Sequence, residues 1–261
     1  MVWTRLATQF ALELGFGVFF ALAFVPRAPV GRLFYRIMST TGALPLFAVA
    51  SMPLWLEGAR WNDASIWTSS VALLAYPFLC APVRGARFGA ALAWCLAWTV
   101  VAIATTVATA ELASTPAVAA LGTLSALATG SVAGSVSLAM VLGHWYLTIP
   151  TMPIRFLTRL NRVTIGSMIA SIVLVSLTCW WLAEPFNAGE APLTSATGLF
   201  YLGTRLVAGL VLPLVFAAMT AASLAYQNTR SATGILYAST ILVLIGTAVS
   251  ISLQDSYGFP L

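Results

Sequence analysis

His144 is the only histidine of the chain, and Trp145 and Tyr146 follow it directly. An imidazole ring changes its charge near neutral pH, so His144 could carry a proton or donate a hydrogen bond to a quinone carbonyl. Tyr146 and Arg155 would add polar contacts to a bound quinone, and the Trp145 ring could form one wall of its pocket. A haem would need a second axial ligand from another chain. The alternative is an ordinary interfacial histidine that binds a backbone carbonyl.

A second set of polar residues lies inside apolar segments. They recur every four residues, on one face of each helix: Arg5, Gln9, Glu13 and Gly17 in one segment, and Tyr201, Arg205 and Gly209 in another. An ionised residue at the centre of a membrane helix costs roughly 2.5–3.5 kcal/mol, so it usually faces the bundle and finds a partner. We predict that Glu13 and Arg205 form a contact or share a water-filled pocket. This pair would be either a proton or substrate path or a structural clamp.

A third candidate site is the basic connection from Pro150 through Arg162. Arg155, Arg159 and Arg162 fall on one face of a helix in this segment. The pattern predicts a short interfacial helix with its apolar side towards the membrane and its basic side towards water. The basic side would bind anionic lipids or an acidic patch on a partner subunit. The alternative is a positive cytoplasmic loop without a ligand.

The composition indicates that the solvent of most of this chain is lipid. Of its 261 residues, 60% are hydrophobic and 7% are charged, whereas soluble domains carry roughly 25% charged residues. The net charge of +5 comes from arginines in short loops beside apolar runs, so no nucleic-acid partner is predicted. No motif of a nucleotide-binding loop, a metalloprotease or a serine hydrolase occurs, and no metal site is predicted. The chain is therefore unlike a self-contained enzyme.

Apolar runs of about 20 residues predict a single all-α membrane domain over residues 1–261, a bundle of about eight transmembrane helices with short loops. Continuous runs favour helices over the alternating strands of a membrane barrel. The predicted spans are residues 6–25, 37–56, 64–83, 90–112, 117–148, 164–182, 199–226 and 232–253. Proline residues inside the second, third and seventh spans should kink those helices: Pro45, Pro77 and Pro213.

The arginines predict the orientation of the bundle, because positive residues mark the cytoplasmic side. Nine lie in the connections after the odd-numbered spans: Arg27, Arg32, Arg36, Arg84, Arg87, Arg155, Arg159, Arg162 and Arg230. The opposite side holds only Arg5 and Arg60. Both termini are therefore expected on the non-cytoplasmic side, in a membrane that we take to be the bacterial inner membrane.

The fifth span carries a stripe of small residues that predicts close helix packing. The stripe recurs every four residues: Gly122, Ala126, Gly130 and Gly134. His144 follows fourteen residues after Gly130, about 40° from the same face at 100° per residue. We therefore expect His144 to point into the protein near the cytoplasmic interface.

These features predict an integral membrane subunit of a respiratory or photosynthetic redox complex, which anchors electron-transfer partners and contributes to a quinone pocket. In helix count and in lacking paired haem ligands, the chain resembles the haem-free, eight-helix anchor subunits of membrane-bound oxidoreductases. The expected partners are other membrane and extrinsic subunits. The alternatives are a small-solute or proton-coupled transporter or channel, with the Glu13–Arg205 pair in its path, and a purely structural assembly subunit.

Overall fold

The computed structural model describes a bundle of helices in which no strand occurs within the described part of the chain. The described residues are 2–25, 29–57, 59–61, 63–81, 85–109, 112–113, 115–149, 152–188 and 192–261, without the side chains of residues 2 and 3. Arg27, Arg84, Pro150 and the ends of two predicted spans, residues 82–83 and 110–111, lie outside them.

The helices follow the apolar runs of the sequence, because backbone groups in lipid must be hydrogen-bonded within their own segment. In chain order they are α1 (Val2–Leu22), α2 (Arg32–Ala50), α3 (Ala64–Leu73), α4 (Tyr76–Cys80), α5 (Ala86–Ala108), α6 (Pro116–Thr148), α7 (Arg155–Trp181), α8 (Ala183–Asn187), α9 (Ala196–Leu206), α10 (Leu212–Ala225) and α11 (Thr229–Tyr257). A π-helical segment, Val207–Val211, joins α9 to α10 in one continuous helix.

Seven of the described helices are long and apolar enough to cross a membrane: α1, α2, α5, α6, α7, α11 and the continuous α9–α10 helix. This indicates an integral, multi-pass membrane protein. The third predicted span, in which the sequence predicts a kink at Pro77, is broken into the two short helices α3 and α4. Pro77 has no N–H to bond the carbonyl four residues earlier, so the helix is interrupted at Leu74 and Ala75. Helix α2 instead continues through Pro45.

The short α3–α4 element runs antiparallel to its neighbours. The indole nitrogen of Trp94 in α5 donates to the Val71 carbonyl at 2.8 Å, and the Trp67 and Trp98 rings meet edge to face at 5.6 Å. At the other end of the element the Tyr76 hydroxyl lies 2.9 Å from that of Thr40 in α2. The element therefore lies along most of the length of α5.

Helix α6 is the centre of the bundle, and its small residues allow α1 to approach its backbone. A Cβ atom on Gly17 of α1 would overlap the carbonyl of Gly130, and one on Gly134 would overlap the backbone of Gly17. Thr115 begins α6 by accepting a hydrogen bond from the Val118 amide at 3.3 Å, as N-cap residues do. The small-residue stripe thus fixes where α1 crosses α6.

The basic segment before the sixth predicted span is not a separate interfacial helix. Helix α7 begins at Arg155 and continues without a break to Trp181. Arg155, Arg159 and Arg162 therefore occupy the first turns of the membrane-crossing helix itself. The helix remains continuous because nothing between these arginines and the apolar run breaks it: the segment contains no proline or glycine until Gly166.

Candidate functional site

Helix α1 buries two polar side chains one turn apart. Gln9 is 1% exposed and Glu13 is 6% exposed. The amide nitrogen Nε2 of Gln9 donates to Oε1 of Glu13 at 3.0 Å, a pairing that the four-residue spacing allows on one helix face. The amide oxygen of Gln9 has no hydrogen-bond partner among the described residues. The Glu13 carboxyl group is therefore held from one side by its own helix.

Arg205 is fully buried in the α9 helix, at 0% exposure. Its Nη2 donates to the Thr129 hydroxyl of α6 at 2.8 Å and to the Ser171 hydroxyl of α7 at 3.3 Å. The other two guanidinium nitrogens, Nε and Nη1, have no hydrogen-bond partner in the described part of the chain. A buried donor without an acceptor costs about 1–3 kcal/mol, and more on a charged group. The guanidinium is thus held in place but only partly satisfied.

Glu13 and Arg205 approach α6 at the same level. The Glu13 backbone packs against Gly130, and Arg205 bonds to Thr129, the residue before it. The two charged groups interact electrostatically. However, with Nη2 bound to two hydroxyls and the other nitrogens unpartnered, Arg205 donates no hydrogen bond to Glu13 in the described structure. The structure therefore brings together Gln9, Glu13 and Arg205 as neighbours without a direct ion pair.

Tyr201 lies outside this cluster, although the sequence groups it with Arg205. It is 37% exposed, and its ring meets that of Phe200 edge to face at 5.9 Å. One and two turns further along the same face, Arg205 and Gly209 are buried, and Gly209 packs directly against the Gly246 backbone of α11. On this face of the helix, burial therefore begins between Tyr201 and Arg205.

The π-helical segment begins two residues after Arg205. It spans Val207–Val211 and ends two residues before Pro213. Because Pro213 has no N–H, it cannot bond the Gly209 carbonyl as a regular α-helix requires, and a wider turn accommodates the missing bond. A Cβ atom on Gly209 would lie 3.7 Å from Nη1 of Arg205. The unpartnered side of the guanidinium thus faces an irregular part of the helix, and π segments occur frequently at functional sites.

A polar vestibule opens at the start of α1. Its volume is about 350 Å³, and Thr4, Arg5 and Thr8 line it together with Glu57, Asp63 and Thr106. Arg5, Gln9 and Glu13 share one face of α1 at four-residue spacing. At a rise of 1.5 Å per residue, Glu13 lies about 12 Å deeper along α1 than Arg5. The polar face of α1 therefore leads from the vestibule towards the buried cluster.

The side chains of His144, Trp145 and Tyr146 have different neighbours in the described structure. His144 is exposed, and its Nδ1 lies 3.4 Å from the Tyr237 hydroxyl of α11. The Trp145 ring packs edge to face on Phe34. The Tyr146 hydroxyl instead donates to the Pro153 carbonyl at 2.5 Å.

Our expectation that His144 points into the protein is therefore wrong. The small-residue stripe of α6 faces α1 at Gly130 and Gly134, but at the other end of α6 the packing partners change. Gly143 there lies against Thr233 of α11, and Tyr146 is buried. The buried face of α6 has rotated between these two levels, so extrapolation over fourteen residues placed His144 on the wrong side.

The partners of Arg205 were missed in the sequence. Thr129 precedes Gly130 of the small-residue stripe, and Ser171 belongs to a buried polar series on α7 with Thr164, Ser167 and Thr178. The spacing of that series, three, four and seven residues, is helical and could have marked a buried face. Which helix that face meets depends on the packing order of the bundle.

The cluster as a whole offers a cation with unused donors beside a carboxyl group that can gain or lose a proton. Guanidinium groups bind carboxylates and other oxyanions, and buried carboxyl groups in membrane proteins serve as proton carriers. No protein-family model, no curated protein and no solved structure matches this chain.

Proposed function

We propose that this chain is a small-solute transporter that moves a small anion together with a proton. In this proposal Arg205 binds the anion and Glu13 carries the proton. One observation supports it above all: Arg205 is fully buried, yet two of its three nitrogens have no partner in the described structure. Charged residues inside membrane bundles are expensive and mark substrate or proton pathways.

The charges of the cluster favour coupling of the two ions. Ionised Glu13 and Arg205 together carry no net charge. An anion bound at Arg205 would leave one uncompensated negative charge in the bundle, and a buried unpaired charge costs several kcal/mol. Protonation of Glu13 removes that charge. The proposal therefore predicts one proton per monovalent anion, and no net charge movement across the membrane.

The alternative role of the cluster is a structural clamp between α1 and α9. A clamp is favourable only when the buried charges are paired and their remaining hydrogen bonds are satisfied. Among the described residues, Arg205 instead bonds only to two neutral hydroxyls, and it donates no hydrogen bond to Glu13. This geometry supports a ligand site in preference to a clamp.

The proposed topology has eight membrane crossings, with α3–α4 as the eighth, and both termini on the non-cytoplasmic side of a bacterial inner membrane. Its support is the antiparallel course of α3–α4 beside α5. Four helices also begin at or next to arginines, which mark the cytoplasmic side: Arg32, Arg87, Arg155 and Arg230. In this orientation the vestibule at Arg5 opens to the outside.

Proteoliposomes with a pH-sensitive dye in their lumen test the transport proposal. Lactate, pyruvate, nitrate or chloride is added outside, and protein-free liposomes give the background of acid permeation. We expect at least one of these anions to acidify the lumen faster with protein than without it. Clamping the membrane potential with potassium and valinomycin should leave that rate unchanged, because the predicted transport is electroneutral.

Two variants with matched controls assign the transport to the cluster. Arg205→Met should lower the proton flux at least about tenfold, because losing one charged hydrogen bond of about 1.5–3 kcal/mol weakens anion binding by that factor or more. Glu13→Gln should lower the proton flux at least as much, because it removes the proton carrier. Glu184→Gln and Arg230→Met remove the same charges from exposed positions and should keep the wild-type flux. Wild-type flux in Glu13→Gln, or no anion-dependent flux at all, would contradict the proposal.

The second candidate function is the redox-complex subunit with a quinone near His144. One observation favours it: His144 and the Tyr237 hydroxyl present neighbouring polar groups on the exposed surface, where a partner chain or a quinone could contact them. Purification of the native protein in mild detergent tests this candidate. Partners that carry haem or iron–sulfur centres would support it, whereas a protein that purifies alone and transports anions would contradict it.

A further inference from the structure

A groove lined by arginines lies between the end of α1 and the start of α7. Its volume is about 750 Å³, and its walls include Arg155, Arg159 and Arg162 on one side and Ala23 and Phe24 on the other. The three arginines occupy positions i, i+4 and i+7 of α7. Their side chains therefore project from one face of the helix, within an arc of about 60° around its axis. No acidic residue is among the described residues that line the groove.

The position of the groove along α7 coincides with a membrane boundary. Exposed Trp180 and Trp181 lie at the opposite end of α7, and tryptophans of membrane proteins collect at the interface. Arg162 precedes Trp180 by eighteen residues, which corresponds to about 27 Å of helix. The hydrocarbon core is about 30 Å thick. With the tryptophans at one interface, Arg162 therefore reaches the other, and Arg155 and Arg159 extend into the headgroup layer.

The chemistry of the groove matches a phosphate group attached to an apolar tail. Guanidinium groups bind phosphate oxygens through parallel hydrogen bonds. The Arg155 guanidinium already lies 5.0 Å from the centre of the Phe156 ring, which limits its orientations. Phe24 and Val163 supply apolar surface beside the charges, and a free inorganic anion would make no use of it.

We propose that this groove binds the phosphodiester headgroup of an anionic phospholipid on the cytoplasmic side of the membrane. The three arginines contact the phosphate, and the glycerol and upper acyl chain lie against Phe24 and Val163. This site is separate from the Glu13–Arg205 cluster, so the lipid proposal and the transport proposal can be tested independently.

Native mass spectrometry of the full chain in mild detergent tests the site. The protein is titrated with phosphatidylglycerol, phosphatidylcholine or inorganic phosphate, and the bound fraction is measured. The variant replaces the three groove arginines by glutamine. The control replaces three exposed arginines elsewhere at the same end, Arg32, Arg36 and Arg230, which changes the net charge equally.

Each arginine near an anionic headgroup contributes roughly a fivefold factor in affinity, so the groove variant should bind phosphatidylglycerol about 100-fold more weakly. The single variant Arg159→Gln should lose roughly fivefold, and it covers the case in which the triple variant does not fold. The control variant should bind as the wild type does. Three results would overturn the proposal: wild-type binding in both groove variants, an equal loss in the control, or inorganic phosphate binding as tightly as the lipid.

Discussion

Replacing Arg205 by methionine should lower transport at least about tenfold and leave the bundle about as stable as before. Methionine is unbranched and flexible, so it can fill the volume of the arginine side chain. The substitution removes the hydrogen bonds from Nη2 to Thr129 and Ser171. Hydrogen bonds of a charged donor contribute about 1.5–3 kcal/mol each, so their loss costs about 3–6 kcal/mol.

The same substitution removes unfavourable contributions of similar size. The unpartnered Nε and Nη1 of Arg205 cost about 1–3 kcal/mol each, together about 2–6 kcal/mol. The freed hydroxyls of Thr129 and Ser171 can donate to carbonyls of the preceding turn, as these side chains commonly do in helices. At the midpoints of these ranges, about 4.5 kcal/mol lost and about 4 kcal/mol regained, the two contributions nearly cancel. The free energy of unfolding should therefore fall by only about 0.5 kcal/mol, whereas a structural clamp would lose about 3–5 kcal/mol.

The free energy of unfolding can be measured by titrating detergent-solubilised protein with dodecyl sulfate and following the fluorescence of its nine tryptophans. The double variant Glu13→Gln/Arg205→Met is the control, because it leaves no ionised side chain in the cluster. It should be at least as stable as the single variant. A loss above 3 kcal/mol in Arg205→Met would refute the reasoning. Recovery of that loss in the double variant would favour the clamp, because a clamp is destabilised by the unpaired charge that the single variant leaves.

Three further substitutions and one control test the helices around the site. Gly134→Ala should lower the free energy of unfolding by about 1–3 kcal/mol, because a methyl group there overlaps the α1 backbone. The control Gly166→Ala has open space for its methyl group, so it should leave the free energy of unfolding unchanged or raise it by about 0.5–1 kcal/mol. Pro213→Ala should restore a regular helix in place of the π segment and slow anion-dependent proton flux. An unchanged flux would show that transport does not require the π segment. Asn161→Ala removes the buried bond from Nδ2 to the Ala217 carbonyl at 2.9 Å and leaves a cavity, and both effects destabilise the bundle. Removal of Oδ1, which has no partner among the described residues, offsets part of this cost, so we expect a loss of about 1 kcal/mol in the same unfolding titration; a change below 0.5 kcal/mol would argue against that contact.

Much of the helical architecture could be predicted because lipid imposes it residue by residue. A run of apolar side chains must form a helix wherever it enters the membrane, so most helices occur where the runs are. The local exceptions are due to single residues. Pro77 breaks the third predicted span, and Arg155 begins a membrane helix instead of an interfacial one, because no residue interrupts the helix after it.

The buried cluster could be predicted only in part. The burial of Glu13 and Arg205 follows from the cost of an ion in lipid, a property of each residue alone. The hydroxyls that hold Arg205 follow from the order in which α6, α7 and α9 pack, which no local pattern encodes. The orientation of His144 could not be predicted. Its orientation depended on extending one helix face over four turns, and the neighbours of α6 change over that distance.

Infrared difference spectroscopy tests most directly whether Glu13 gains a proton when an anion binds. The spectrum of the protein with the transported anion is subtracted from the spectrum without it, at constant pH. We predict a new carbonyl band of a protonated carboxyl group, present in the wild type and in Glu184→Gln and absent in Glu13→Gln. The same band in Glu13→Gln, or no carboxyl signal in the wild type while the anion binds, would contradict proton-coupled binding at this cluster.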